Sequence, residues 1–227
     1  MLFTLEAARD NVRNKDGKRV FYLGKSDQLT SEARDYLNRE RIEILPATQA
    51  KPQRYKLLSG GYMEEKPEHM THLNGEVLVP KTHPRIAFRG AMDLLEAELL
   101  LCALEVPAFQ KELEEILTLA RNILRWEVLG EPVREEPLCG LSQQELRSHS
   151  HRPQEYYGQP HFMPGASDGE TVLRLNRVRS MARMAELKAA AAFMTPTGVP
   201  EREDILRCLN RMSSMLYILM IKAKAKN

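Results

Sequence analysis

The chain has 227 residues, 43% of them hydrophobic and 28% charged, with a formal net charge of +2. That is the balance of a folded domain with a small appended one, and it excludes a strong overall field toward nucleic acid or an anionic membrane. No apolar run reaches the roughly 18 residues of a membrane span, Met1-Leu-Phe-Thr carries no secretory signal, and the well-separated Cys102, Cys139 and Cys208 fit free thiols in a reducing cytoplasm rather than a CxxC metal site.

In chain order, Val20–Leu23 reads as a short strand ending at Gly24. A helix follows, with Thr30 or Ser31 as its N-cap and Leu29, Ala33, Tyr36 and Leu37 on one face. Ile42–Ile44 reads as a second strand closed by Pro46, so residues 1–46 are expected to form a small α/β unit. Residues 47–70, rich in Gly, Pro, Lys and Glu with Gly60-Gly61 in the middle, read as a linker or mobile loop. Long amphipathic helices then take over. Met92, Leu95, Leu99 and Ala103 recur at helical spacing up to Glu105, and Pro107 breaks the pattern. Leu113, Ile116, Ala120 and Ile123 mark a second helix over 110–129, with Gly130 beyond its end.

Residues 131–166 read as a long polar connection containing one capped piece, Ser142-Gln-Gln-Glu145. A second capping box, Ser167-Asp-Gly-Glu170, is expected to open a helix running to about Met194. The last helix follows the turn at Thr195–Pro200. It begins with Glu201, Glu203 and Asp204 and ends with Lys222, Lys224 and Lys226, a polarity that suits the helix dipole. The expected fold class is all-α: a helix bundle of four to five long helices over 71–227, with a small N-terminal α/β segment.

Arg179, Arg183 and Glu186 stand at i, i+4 and i+7 and share one helical face. Two readings fit: a solvated face with Arg183 paired to Glu186, or an anion seat that turns arginine repulsion into attraction. Asn210, Ser213, Ser214 and Tyr217 form a polar stripe beside the core stripe of the last helix. Asn is a poor helix former, so it serves either a ligand or neighbouring helix, or simply faces solvent. Lys81, Arg85 and Arg89 cluster near a helix N-terminus that favours anions, although Arg89 and Asp93 at i, i+4 also suit a local ion pair. His149-Ser-His151 lacks a third clustered ligand and reads as a surface pair.

Taken together, these segments resemble the cobalamin adenosyltransferases of the ethanolamine-utilisation type over nearly the whole chain. The resemblance is carried by Lys66-Pro-Glu-His-Met-Thr71-His72-Leu73, by Lys81-x-x-Pro84-Arg85-x-x-Phe88-Arg89-x-x-x-Asp93 and by Leu129-Gly-Glu-Pro132. Gly140-Leu-Ser142, Ser150-His151-x-Pro153 and Asp204-Ile-Leu-x-x-Leu-Asn210-Arg-x-Ser213-Ser214 complete it. The chain is similar, more distantly, to the propanediol-utilisation type, which carries Arg-x3-Arg-x2-Glu and Leu-Asn-Arg-x-Ser-Asp. The first motif is complete here as Arg179, Arg183 and Glu186; in the second, Ser214 replaces the Asp. The Thr-Arg-Thr-Gly-Asp phosphate loop of that group is absent, so Thr71 to Arg89 would replace it. Several ethanolamine-type members carry a Cys-Cys-x-x-Cys metal site before the Lys-Pro segment. Tyr55–Lys66 has no cysteine, so no structural Zn or Fe is expected.

The resemblance implies transfer of the 5′-deoxyadenosyl group of ATP to Co(I) of cobalamin, in support of a B12-dependent ethanolamine ammonia-lyase. In that role Arg179 and Arg183 would hold the phosphates, with Lys81, Arg85, Arg89 and Thr71 closing from the other side. Glu186 and Asn210 would orient the ribose, or Glu186 would anchor an arginine; Ser214 is a further cofactor-binding candidate, and Mg²⁺ is expected on the phosphates. Phe88, Trp126, Phe162 and Phe193 are the aromatic candidates for the corrinoid face, and 131–166 is the candidate lid. A homotrimer with ATP at subunit interfaces, a flavoprotein reductase and the lyase are the implied partners. The implied setting is cytoplasmic, in or outside a bacterial microcompartment. The competing expectation is a non-catalytic helical scaffold of such a compartment.

Overall fold

The structure, a computed structural model, describes residues 2–15, 17–47 and 55–225. The chain divides into two compact units, 1–54 and 55–227.

The first unit is α/β, built from short elements. Strand β1 (Leu2–Phe3) pairs in parallel with β4 (Gln28–Leu29), and a sheet of order β2-β3-β5 joins Arg13–Lys15, Lys18–Leu23 and Glu43–Pro46. Helices α1 (Leu5–Asp10) and α2 (Ser31–Arg39) are N-capped by Thr4 and Thr30, whose hydroxyls accept the Ala7 and Ala33 N–H groups. Ala8, Phe21, Ala33, Leu37 and Ile42 form its core, with Phe3 edge-on to Phe21.

The second unit opens with a four-stranded sheet of order β7-β6-β9-β8, from Tyr62–Met63, Tyr55–Leu57, Val77–Pro80 and Met70–Asn74. The stretch expected as a linker over 47–70 therefore supplies two strands of this sheet, while residues 48–54 lie outside the described residues. Its turn chemistry holds: Gly60, at φ +100°, turns β6 into β7, where the Leu57 N–H donates to the Gly61 carbonyl. The flanking strands, of three and two residues, are too short for a periodic signal.

Four long helices follow: α3 (Pro84–Glu105), α4 (Gln110–Leu129), α7 (Glu170–Phe193) and α8 (Glu203–Lys224), with α5 (Gln143–His151) and α6 (Pro153–Tyr157) between the second and third. The unit is mainly helical, though not all-α, because the sheet of 55–80 precedes the helices. Helix α7 packs against both α3 and α8, α3 also against α4, and α5 and α6 against α8. Before Phe193, the inward face of α7 carries Ala182, Ala185 and Ala189, small enough for close approach on two sides. The apolar stripes predicted for α3 and α4, and that of α8 (Ile205, Leu209, Met212, Leu216 and Leu219), are buried in one continuous core.

Helix ends follow their local chemistry with one exception. Pro84 is the first residue of α3, Gly130 ends α4 in the left-handed region at φ +70°, and Ser142 and Glu145 form a complete capping box on α5. The second expected box does not form. Helix α7 starts at Glu170 after Gly169, because Asp168 turns back to accept the Gly165 N–H at 2.8 Å and pairs with Lys224 at 2.7 Å. Among the described residues, no helix is long and apolar enough to cross a membrane.

Candidate functional site

An open cleft of about 750 Å³ lies along the polar edge of α7 and α8. Helix α7 contributes Asn176, Arg179 and Arg183; α8 contributes Asn210, Ser213, Ser214 and Tyr217. The third wall comes from the end of α5, with Ser150 and His151, and from His161–Pro164. Sequence spacing aligned Arg179 with Arg183 and Asn210 with Ser214. Packing α7 against α8 turns the two stripes toward one space.

Arg183 is exposed, and Arg179 is half-buried. Among the described residues neither is paired with a carboxylate, although α7 and its surroundings hold several ion pairs, such as Arg177–Glu98 at 2.6 Å and Arg174–Glu170 at 2.6 Å. The Arg179 Nε is buried and has no hydrogen-bond partner. Burial, and then the neighbouring Arg183, hold the Arg179 guanidinium below its ordinary value. Glu186 does not neutralise Arg183. Its carboxylate accepts from the Asn210 amide at 3.1 Å, joining α7 to α8 across the floor between two cavities. The cleft is thus a seat with two available guanidiniums, hydroxyls and an amide, suited to an anion bearing several oxygens.

Beyond Asn210 a second cavity of about 660 Å³ is lined by Arg147, Arg207, Arg211, Gln143, Gln144 and acidic residues that include Glu186. Arg207 there is paired with Glu203 and Glu135.

The other predicted cations lie elsewhere. Arg85 and Arg89, a turn apart on α3, both donate to the fully buried Glu127 of α4, at 2.6 and 2.7 Å. Arg89 also donates to the Leu73 carbonyl at 2.7 Å, so this clamp ties α3, α4 and β8 together. Neither arginine lines the cleft, and the alternative of a local Arg89–Asp93 pair gives way to the stronger demand of a buried carboxylate. Lys81 pairs with Glu68 at 2.8 Å on the surface, and Thr71 sits on β8 opposite Val79.

Phe88, predicted at the cofactor face, is completely buried, edge-on to Phe193 with ring centres 5.7 Å apart. A side chain so enclosed offers no surface to a ligand. Trp126 and Phe193 are buried as well, which leaves Phe162 as the aromatic candidate that lines the cleft. His149 stacks on Tyr156 at 3.9 Å and meets the Tyr157 hydroxyl at 2.8 Å, so it serves local packing. Among the described residues, no group of three or more His, Cys, Asp or Glu side chains is placed to hold a metal ion.

Sequence reasoning passed over Glu127, Asn176 and His161. For Glu127 the signal was present: it continues the apolar stripe 113, 116, 120, 123 at helical spacing, and a carboxylate on a core stripe demands cationic partners. His161 lies in the irregular 158–165 segment, where no periodicity points anywhere.

Comparison with known proteins gives relatives over most of the chain. Two relatives, each the Corrinoid adenosyltransferase EutT of an Escherichia coli strain (K12, and O6:H1 CFT073), are 37% identical over 163 residues, covering 71% of this chain. The chain spans 61% of the length of those two proteins. Corrinoid adenosyltransferase EutT of Salmonella typhimurium strain LT2 is 30% identical over 243 aligned positions, covering 96% of this chain and 91% of the relative. No solved structure matches the chain. Residues 61–223, which include the cleft and the Glu127 clamp, match the model of the family described as Cobalamin adenosyltransferase, and the chain belongs to that family.

Proposed function

We propose that the chain transfers the 5′-deoxyadenosyl group of ATP to the Co(I) centre of cobalamin, as the names of its relatives suggest, in support of ethanolamine utilisation. The observation that carries this reading is the pair Arg179 and Arg183, side by side in the cleft with no carboxylate partner among the described residues, the first with a buried, unsatisfied Nε.

In the transfer, the cobalt electron pair forms a bond to the ribose C5′. The C5′–O bond breaks, and its electrons leave with the phosphate chain. Negative charge therefore grows on the phosphate oxygens, where preorganised guanidinium forks stabilise it most. Arg179 and Arg183 hold that chain. Asn210, oriented by Glu186, and Ser214 face the sugar, and Phe162 offers the apolar surface for the corrinoid. Mg²⁺, brought in on the phosphates, would share their charge.

Lys81 and Thr71 are not among the residues lining this cleft, so a role for them on the nucleotide calls for a second copy of the chain, as in a homotrimer. Arg85 and Arg89 act first as the clamp on Glu127. We read the four long helices together with α5 as the family's bundle. A flavoprotein reductase would supply Co(I), and the lyase would receive the product, in the cytoplasm or within a microcompartment.

Mixing the protein with ATP, Mg²⁺ and reduced cobalamin should give the absorbance spectrum of adenosylcobalamin. ATP at about a hundred times its Kd should also stabilise the fold by about 2.7 kcal/mol. No product and an unmoved melting temperature would leave the scaffold reading in its place.

A further inference from the structure

Tyr217 of α8 meets the cleft from two sides. Its ring lies beneath Arg179, with the guanidinium carbon 5.2 Å from the ring centre. Its hydroxyl oxygen accepts the Phe162 N–H at 3.3 Å and lies 3.1 Å from His161 Nδ1. His161 Nε2, in turn, lies 3.0 Å from the His151 carbonyl oxygen. A carbonyl only accepts, so Nε2 carries the hydrogen. In the neutral ring Nδ1 then accepts from the Tyr217 O–H. The hydroxyl is thereby committed to the wall formed by residues 161–162, and that bond sets the plane of the phenol ring.

Arg179 needs such a support. Its Nε is buried without a partner, and Arg183 stands one turn away on the same helix. A carboxylate could hold the guanidinium, but it would cancel the charge and compete with an incoming anion. An aromatic face holds the cation through its quadrupole and leaves the outward N–H groups available.

Building on the reading of the cleft as a nucleotide site, we infer that Tyr217 is a positioning residue for Arg179. Its ring fixes the guanidinium plane without neutralising it, and its hydroxyl, bonded to His161 and Phe162, fixes the ring.

The test is a double-mutant cycle in the full-length protein, read by MgATP calorimetry and by steady-state adenosyl transfer. Tyr217→Leu is expected to raise the Kd for MgATP about tenfold, and Tyr217→Phe, which keeps the ring, by no more than about threefold. In an Arg179→Met background, Tyr217→Leu should cost less than about twofold further, because the residue acts through Arg179. KM for ATP should rise more than KM for the corrinoid. Thermal midpoints check that each variant is folded, and Tyr217→Met takes the place of the leucine variant if that one does not fold. Equal losses with and without Arg179 would show a merely structural role and overturn the inference. So would unchanged ATP affinity in Tyr217→Leu when Arg179→Met alone abolishes binding, an outcome that leaves the functional reading intact. Wild-type protein that binds no MgATP would overturn both.

Discussion

Arg179 and Arg183 are the same residue type on the same helix face, yet their surroundings set them apart. Arg183 is exposed, while Arg179 is half-buried over an aromatic ring. On the proposed reading, replacing Arg183 by Ala should lower turnover at least about tenfold, since one lost transition-state contact is worth about 1.4 kcal/mol or more. Unchanged turnover in that variant would remove the residue from the site. Cysteine chemistry belongs to this scale as well. Burial pushes the thiols up, to about 11 for Cys102 and about 12 for Cys139 and Cys208. The reactive species is the thiolate, so at pH 8 the folded protein should label slowly with a thiol reagent, and rapidly once denatured. Fast labelling of Cys102 or Cys208 in the native protein would contradict the burial of these two side chains.

At the scale of elements, one buried and one half-buried carboxylate organise the helices. Glu127 of α4 holds both Arg85 and Arg89 of α3, and through Arg89 the edge of the sheet. Removing one side of a buried pair leaves charge uncompensated, so Glu127→Ala should cost about 3–5 kcal/mol, read by chemical denaturation. A loss within the ordinary surface range would mean that the clamp is solvated. Asp204, near the start of α8, accepts from Val133 N–H at 2.9 Å and from Arg202, which pins the beginning of the 131–142 connection. Burial works to raise its carboxyl, but the bonds from Arg202 and Val133 outweigh that and hold it below 3.8. A depressed carboxyl contributes stability that is present above its unfolded value and lost as pH falls through its folded one. Asp204→Asn should therefore reduce stability at pH 7 and flatten the acid limb below about pH 3.8, in a series of melts across pH. An acid limb identical to that of the wild type would sink this assignment.

At the scale of the whole molecule, the chain is two units with separate cores, one around Phe21 and Leu37, the other running through all four long helices. The cleft and the clamp lie entirely in the second. A fragment from Tyr55 onward should keep its helical circular dichroism and a cooperative melt, and on the proposed reading it should still bind MgATP. Loss of cooperative unfolding in that fragment would show that the N-terminal unit is needed for the second core.

Much of this was legible before any fold was known. The stripes of α3, α4 and α8 follow from a helical period of 3.6, and Pro84, Gly130 and the Ser142 box mark the start of α3, the end of α4 and the start of α5 through backbone conformation and local hydrogen bonding. The shared face of Arg179 and Arg183 is the same kind of local fact. What sequence alone could not rank was the set of cations. Arg85 and Arg89 read as anion ligands equal to the α7 pair until α4, some 38 to 42 positions away along the chain, laid Glu127 against them. Likewise Phe88 and Phe162 are both phenylalanines near motif residues, and only packing decides that one is sealed in the core while the other lines the cleft. The reason is physical. Periodicity and capping depend on neighbours within a turn or two, whereas the availability of a charge or a ring depends on which distant face closes over it.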